Sequence, residues 1–109
     1  MGTTEQLEAA GLGAWTAKDG GIARTYETTG WPVTLMLVNA IGFAAETAFH
    51  HPDLEVAYGS VTVKLVTHDA GGTVTDKDLS LARRIEDLAL YRPGADSPLD
   101  GPPDPRVTG

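Results

Sequence analysis

Between residues 46 and 78 the chain gathers the side chains that move protons: Glu46, His50, His51, Tyr58, His68 and Asp78. All three of its histidines lie in this stretch. Imidazole changes charge near neutral pH, which suits it to general acid and general base work. A carboxylate beside an imidazole orients the ring and selects its tautomer. The chain has no cysteine, which excludes thiolate nucleophiles, disulfide frameworks and cysteine-based metal sites. Three histidines and a carboxylate are also a possible zinc set. Against that, the His-x-x-x-His helical spacing of common zinc enzymes is absent, and adjacent His50 and His51 on extended backbone chelate poorly. Metal-free acid–base chemistry is the better reading.

The elements that must hold these residues can be traced outward. Pro32 suits the first turn of a helix, where a missing N–H costs nothing. That helix runs to about Phe49 and is apolar on more than one side: Leu35, Val38 and Ile41 on one flank, Met36, Ala40 and Phe43 on another. Such a helix is expected to be buried on two sides, one of them a subunit contact. Pro52 confines His51 to extended backbone. Leu54 to Tyr58 and Val61 to Thr67 alternate as a hairpin around Gly59-Ser60, with Leu54, Val56, Tyr58 and Val61, Val63, Leu65 inward. The outer ends of an antiparallel hairpin meet, so His68 is expected near His51 and Pro52. Neighbouring residues on extended backbone point to opposite faces, so His50 and His51 need not share a pocket. Thr75 and Asp78 form a helix start, with the carboxylate near the helix dipole. Leu81, Ile85 and Leu88 give that helix its apolar face, and Arg83 and Asp87 pair on its solvent side.

Upstream, Thr3 and Gln6 fit a capping box for a short helix that stops near Gly11 to Gly13. Trp15 to Lys18 and Ile22 to Thr28 read as strands joined by the turn Asp19-Gly20-Gly21. The order is α-β-β-α-β-β-α. It predicts an α+β fold, a four-stranded antiparallel sheet with helices on one face. Residues 1–91 form one domain. Residues 92–109 hold five of the seven prolines and read as an extended tail that cannot fold alone.

The whole chain is 109 residues with a formal net charge of -7. That acidity leaves no electrostatic footprint for nucleic acid. The longest uncharged stretch, Thr28 to Ala45, carries Gly30, Pro32, Thr34 and Asn39, and its apolar part is too short to span a bilayer. The amino terminus has neither a secretory nor a myristoylation pattern, so the cytoplasm is the expected compartment.

The ordered set Glu46-x-x-x-His50-His51-Pro52, Tyr58, His68 and Asp78 resembles the signature of pterin-4a-carbinolamine dehydratases, also called 4a-hydroxytetrahydrobiopterin dehydratases. Thr67-His68-Asp69-Ala70-Gly71-Gly72, Thr75-Asp76-Lys77-Asp78-Leu79, Leu81-Ala82 and Arg24-Thr25-Tyr26 add to the similarity, which covers roughly residues 3–90. The resemblance implies a four-stranded antiparallel sheet with three helices and a homodimer or homotetramer. It implies dehydration of 4a-hydroxytetrahydropterin to the quinonoid dihydropterin, with no metal or organic cofactor. The reaction recycles the pterin of aromatic amino-acid hydroxylases, which makes such a hydroxylase a pathway partner. Within that picture His50, His51 and His68 divide the acid, base and orienting roles. Glu46 favours protonation of a nearby histidine or contacts the pterin, and Asp78 orients His68. Pro52, Tyr58 and Thr67 support the site, while Phe49 or Leu54 lines an apolar slot for the ring.

The chain departs from the family pattern in four ways. Phe49 stands where many members are polar or acidic, Leu54 sits near a position where animal members carry an aromatic residue, the glycine loop before Thr75 is one residue longer than in animal members, and the proline-rich tail is extra. Two other readings stay open. One is a non-catalytic interaction protein on the same fold, since the family includes transcriptional co-activators and Rubisco assembly factors. The other is a lyase repurposed for a secondary pathway.

Overall fold

A computed structural model describes residues 2–109; Met1, part of the terminus read above for export signals, lies outside the described residues. The chain runs α1 (Thr3–Ala9), β1 (Thr16–Lys18), β2 (Gly21–Thr28), α2 (Trp31–Ala48), β3 (Asp53–Ala57), β4 (Ser60–Leu65), a short 3-10 turn (His68–Ala70), α3 (Asp76–Ala89) and β5 (Val107–Thr108). The sheet is antiparallel in the order β1-β2-β4-β3, and β5 adds to β2 beside β1. This is the expected α+β architecture, with one two-residue strand supplied by the tail.

Local chemistry explains the elements. Asp19 and Gly20 both have positive φ, so β1 and β2 are joined by the two-residue turn whose twist matches a hairpin. Gly21 must be glycine, because a Cβ there would sit 2.3 Å from the Leu65 carbonyl oxygen on β4. Pro32 occupies the first turn of α2. The capping box expected at Thr3 and Gln6 does not form: Gly2 is the cap, and Thr3 is already inside the helix with no capping side chain.

The core lies between one sheet face and the helices. Ile22 and Tyr26 on β2 and Val61, Val63 and Leu65 on β4 are fully buried, joined by Leu7, Leu12, Trp15, Ile41, Leu81 and Ile85. Val61, Val63 and Leu65 point inward as their alternation requires. The β3 expectation is corrected at its far end. Leu54 is half-buried, Val56 is 43% exposed, and Tyr58 is 73% exposed because it belongs to the turn rather than the strand. On α2 the single chain buries one stripe, Thr34, Leu37, Ile41 and Ala45. The second flank stays open, with Met36 and Phe43 67% and 77% exposed, and Leu35 of the first flank is 41% exposed as well.

The sheet holds α3 through a polar cluster. Arg24 grips Glu86 with two bonds, Nε to Oε1 at 3.1 Å and Nη2 to Oε2 at 3.2 Å. The Tyr26 hydroxyl and the Trp15 indole N–H also donate to Glu86 Oε1, at 2.6 and 3.1 Å. Burial alone would raise the Glu86 pKa, but the bonds from Arg24, Tyr26 and Trp15 outweigh it and hold the carboxyl below its ordinary range. Burial and the bond to Glu86 push the Tyr26 hydroxyl well above its usual pKa. The tail closes over the same corner: Arg24 Nη1 donates to the Gly109 carbonyl at 2.6 Å, and Thr29 N–H donates to the Arg106 carbonyl at 3.1 Å.

Candidate active site

The site is built where α2 ends. Phe49 has φ 54 and ψ 42, the left-handed conformation that usually selects glycine. Phe49 N–H donates to the Glu46 carbonyl and His50 N–H to the Ala45 carbonyl, each at 3.2 Å. This paired 5→2 and 6→1 pattern is a Schellman stop, and it costs about 1 kcal/mol for a residue with a Cβ. It turns the chain sharply, so that His50 and His51 leave the helix in different directions.

His50 goes inward. Its Nε2 lies 2.7 Å from Asp78 Oδ1, and the Asp78 side chain is completely buried. Asp78 stands at the third position of α3, where its Oδ2 also accepts the Thr75 N–H at 2.9 Å and the Thr67 hydroxyl at 2.7 Å. Thr75 and Asp78 therefore make a capping box at the helix start read from the sequence. The same carboxylate has a second use as the anchor of His50, so one residue joins the end of β4, the start of α3 and the end of α2.

His51 turns back over the last turn of α2. Its Nε2 is 2.9 Å from Glu46 Oε1, and both side chains are more than half exposed. The Phe49 ring meets the His51 ring edge-on, with centroids 5.7 Å apart. Glu46 thus partners His51.

Asp78 does not orient His68; it holds His50. The reason is geometric. Asp78 faces its own cap with one oxygen and the end of α2 with the other. His68 opens a 3-10 turn after Thr67 with its side chain exposed, and it makes no side-chain hydrogen bond among the described residues. The β3–β4 register, Asp53 opposite Lys64, still places the backbones of His51, Pro52 and His68 at one end of the sheet. Tyr58 lies at the opposite, turn end of that hairpin, beside Gly30 and away from the histidines.

Beside His50 a groove of about 1090 Å³ runs between α2 and α3. Ala44, Phe43, Phe49 and Leu81 line it, with Lys77 and Arg84 on the α3 side. Phe49, 83% exposed, is thus an apolar wall next to an anchored imidazole. Leu54, the other residue proposed for that slot, packs against the core and does not line the groove. No three His, Cys, Asp or Glu side chains among the described residues converge as a metal-binding group. No helix among them is long and apolar enough to cross a membrane.

Sequence reasoning read Thr75 with Asp78 only as a helix start, and it missed the Arg24–Glu86 clamp that holds α3 in place. The Thr-x-x-Asp spacing was visible, but it gave no sign that the capping carboxylate also reaches a histidine. A buried arginine opposite a glutamate 62 residues away leaves no local pattern at all.

A family model described as pterin 4 alpha carbinolamine dehydratase matches residues 2–88. The chain belongs to that family. A relative from Aquifex aeolicus (strain VF5), named "Putative pterin-4-alpha-carbinolamine dehydratase", is 43% identical over 81 residues, covering 74% of this chain and 81% of its own. A relative of the same name from Nocardia farcinica is 41% identical over 87 residues, 78% of this chain and 90% of its own. Among solved structures, a transcriptional coactivator/pterin dehydratase from Brucella melitensis superposes with a TM-score of 0.71 at 29% identity, covering 82% of this chain and 97% of that one. A pterin dehydratase-like protein described as a RuBisCO assembly factor of the alpha-carboxysome shares the fold alone, at a TM-score of 0.57 and 16% identity over 69% of this chain and 86% of its own.

Proposed function

We propose that the protein dehydrates 4a-hydroxytetrahydropterins to quinonoid dihydropterins by histidine acid–base catalysis. The observation that carries this reading is His50, anchored on the buried Asp78 and lining an apolar groove, with a second carboxylate-paired imidazole, His51 on Glu46, next to it in the chain. Elimination needs two proton movements. A base takes the N5 proton, the N5 electrons form the C4a=N5 bond, and the C4a hydroxyl leaves as water after a proton from an acid. Three imidazoles supply both, with His68 on the neighbouring turn, and Phe49 gives the flat ring an apolar surface.

The product feeds the reduction that recycles the pterin of an aromatic amino-acid hydroxylase, so such a hydroxylase is the pathway partner. The reaction takes place in the cytoplasm. Residues 1–91 are the working domain and 92–109 its tail. The exposed apolar flank of α2, with Met36 and Phe43, supports a homodimer or homotetramer. That flank also supports a second reading, a non-catalytic interaction protein on the same fold.

One assay separates the two. 4a-Hydroxytetrahydropterin is generated with an aromatic hydroxylase, and quinonoid dihydropterin is followed with and without the protein. Acceleration that His51→Ala and His68→Ala abolish supports the dehydratase. No acceleration, or unchanged rates in both variants, refutes it. Light scattering that shows a monomer at micromolar concentration refutes the oligomer.

A further inference from the structure

Thr67, only 3% exposed, lies between two other members of the His50 anchor. Its Oγ1 is 2.7 Å from Asp78 Oδ2 and 2.7 Å from Thr75 Oγ1. A carboxylate oxygen only accepts, so Thr67 gives its single hydroxyl proton to Asp78. The bond between the two threonines must then be donated by Thr75. The Thr75 oxygen in turn accepts the Lys77 backbone N–H at 3.3 Å. Direction is set at every link, from a backbone amide to the carboxylate.

Asp78 Oδ2 is thus taken by two donors, the Thr67 hydroxyl and the Thr75 N–H at 2.9 Å. Its Oδ1 is left for His50 Nε2. Because the carboxylate can only accept, the ring must donate, and Nε2 carries a proton. A neutral imidazole has one N–H, so Nδ1 is bare. His50 makes no other side-chain hydrogen bond among the described residues.

We propose that Thr67 and Thr75 are positioning residues that, through Asp78, fix His50 as the Nε2–H tautomer and make Nδ1 its reactive nitrogen. The catalytic half of this inference rests on the dehydratase reading. There, Nδ1 of His50 accepts the N5 proton, and the proton given to the departing hydroxyl comes from His51 or His68. Thr67 and Thr75 act through Asp78 and touch no substrate.

The test is a long-range ¹H–¹⁵N spectrum of the ¹⁵N-labelled, ligand-free protein at neutral pH, with His50 assigned by its loss in His50→Gln. The wild type is expected to show His50 in the Nε2–H form. Asp78→Asn is expected to reverse it. The Thr75 backbone N–H claims the amide oxygen, the amide NH2 turns to His50, and the ring proton moves to Nδ1. Thr67→Val leaves the accept-only carboxylate and so keeps the Nε2–H form, but it frees Asp78 to shift and lowers kcat about 10-fold with KM changed less than about twofold; Thr67→Ser, which keeps the hydroxyl, recovers most of the loss. An Nδ1–H or evenly mixed His50 in the wild type overturns the proposal. So does an unchanged tautomer in Asp78→Asn, or a Thr67→Val variant with wild-type kcat in an enzyme that turns over. Should Asp78→Asn not fold, the wild-type spectrum and the two Thr67 variants decide. The spectra need no substrate, so an absence of turnover would refute the dehydratase reading and leave the tautomer decided separately.

Discussion

Replacing Glu86 by alanine should be the most damaging single change to the frame that carries the site. The carboxylate serves four donors on three side chains, and removing it leaves the Arg24 guanidinium, 6% exposed, without a counter-ion. Breaking one partner of a buried pair costs about 3–5 kcal/mol, because the remaining charge stays desolvated. Glu86 itself is 17% exposed, so water reaches the gap and the lower end applies, about 3 kcal/mol. For a domain of this size that is a fall in Tm of roughly 15 °C. Glu86→Gln keeps an acceptor for Tyr26 and Trp15 but loses the charge and half of the arginine fork, for about 1.5–2 kcal/mol. Urea unfolding followed by tryptophan fluorescence reads both, since Trp15 sits in the cluster. A cycle of Arg24→Met, Glu86→Gln and the double variant should give a coupling above about 1 kcal/mol. A Glu86→Ala loss below about 1 kcal/mol, or no coupling in the cycle, would show that α3 is held by apolar packing and that the cluster is incidental.

The same carboxyl sets an acid limit. Its pKa is held below the ordinary 4.5, so its contribution is fully present above that value and is lost as pH falls through the lower, folded value. Melting from pH 7 down to pH 3 should therefore show a steeper acid slope in the wild type than in Glu86→Gln; equal slopes would discard the linkage. Phe49→Gly should relieve the left-handed strain and raise stability by about 1 kcal/mol. It should also weaken pterin binding by removing the groove wall, and a lower Tm would contradict the strain argument. Deleting residues 106–109 removes β5, the partly buried Val107 and the bonds to Arg24 and Thr29, and should cost about 1–2 kcal/mol in urea melts. An unchanged midpoint would show that the tail is energetically idle.

The elements that were legible are those whose signal is local. The Asp19-Gly20 turn, Pro32 at a helix start, the Val61, Val63, Leu65 alternation and the Thr75–Asp78 cap each depend on a few adjacent residues, and each is present. Errors arise where a local pattern has two solutions. Tyr58 continues the β3 alternation in sequence but falls in the turn, so its ring is exposed. Thr3 and Gln6 have capping-box spacing, yet the cap falls one residue earlier, at Gly2, and Thr3 is already the first residue of the helix. The site divides in the same way. The histidines and their carboxylates were found, but the pairing of Asp78 with His50 depends on the left-handed Phe49. That conformation is unexpected for a phenylalanine. Long-range partnerships such as Arg24 with Glu86 have no sequence signature.

The tail strand has a consequence for how the molecule assembles. Arg24 and the Gly109 carbonyl it binds are 85 residues apart along the chain, whereas β3 meets β4 across a two-residue turn. Contacts that close the longest loops form after those that close the shortest, once the sheet exists to receive them. The hairpins therefore set first and β5 docks onto a finished β2 edge. It is also the piece that leaves first: its amides should exchange with solvent by local opening, well ahead of those of β4. Until it docks, the outer edge of β2 beyond β1 is a row of unpaired backbone groups, open to pairing with another chain. Once docked, the two-residue strand covers that stretch of the β2 edge at Glu27 and Thr28.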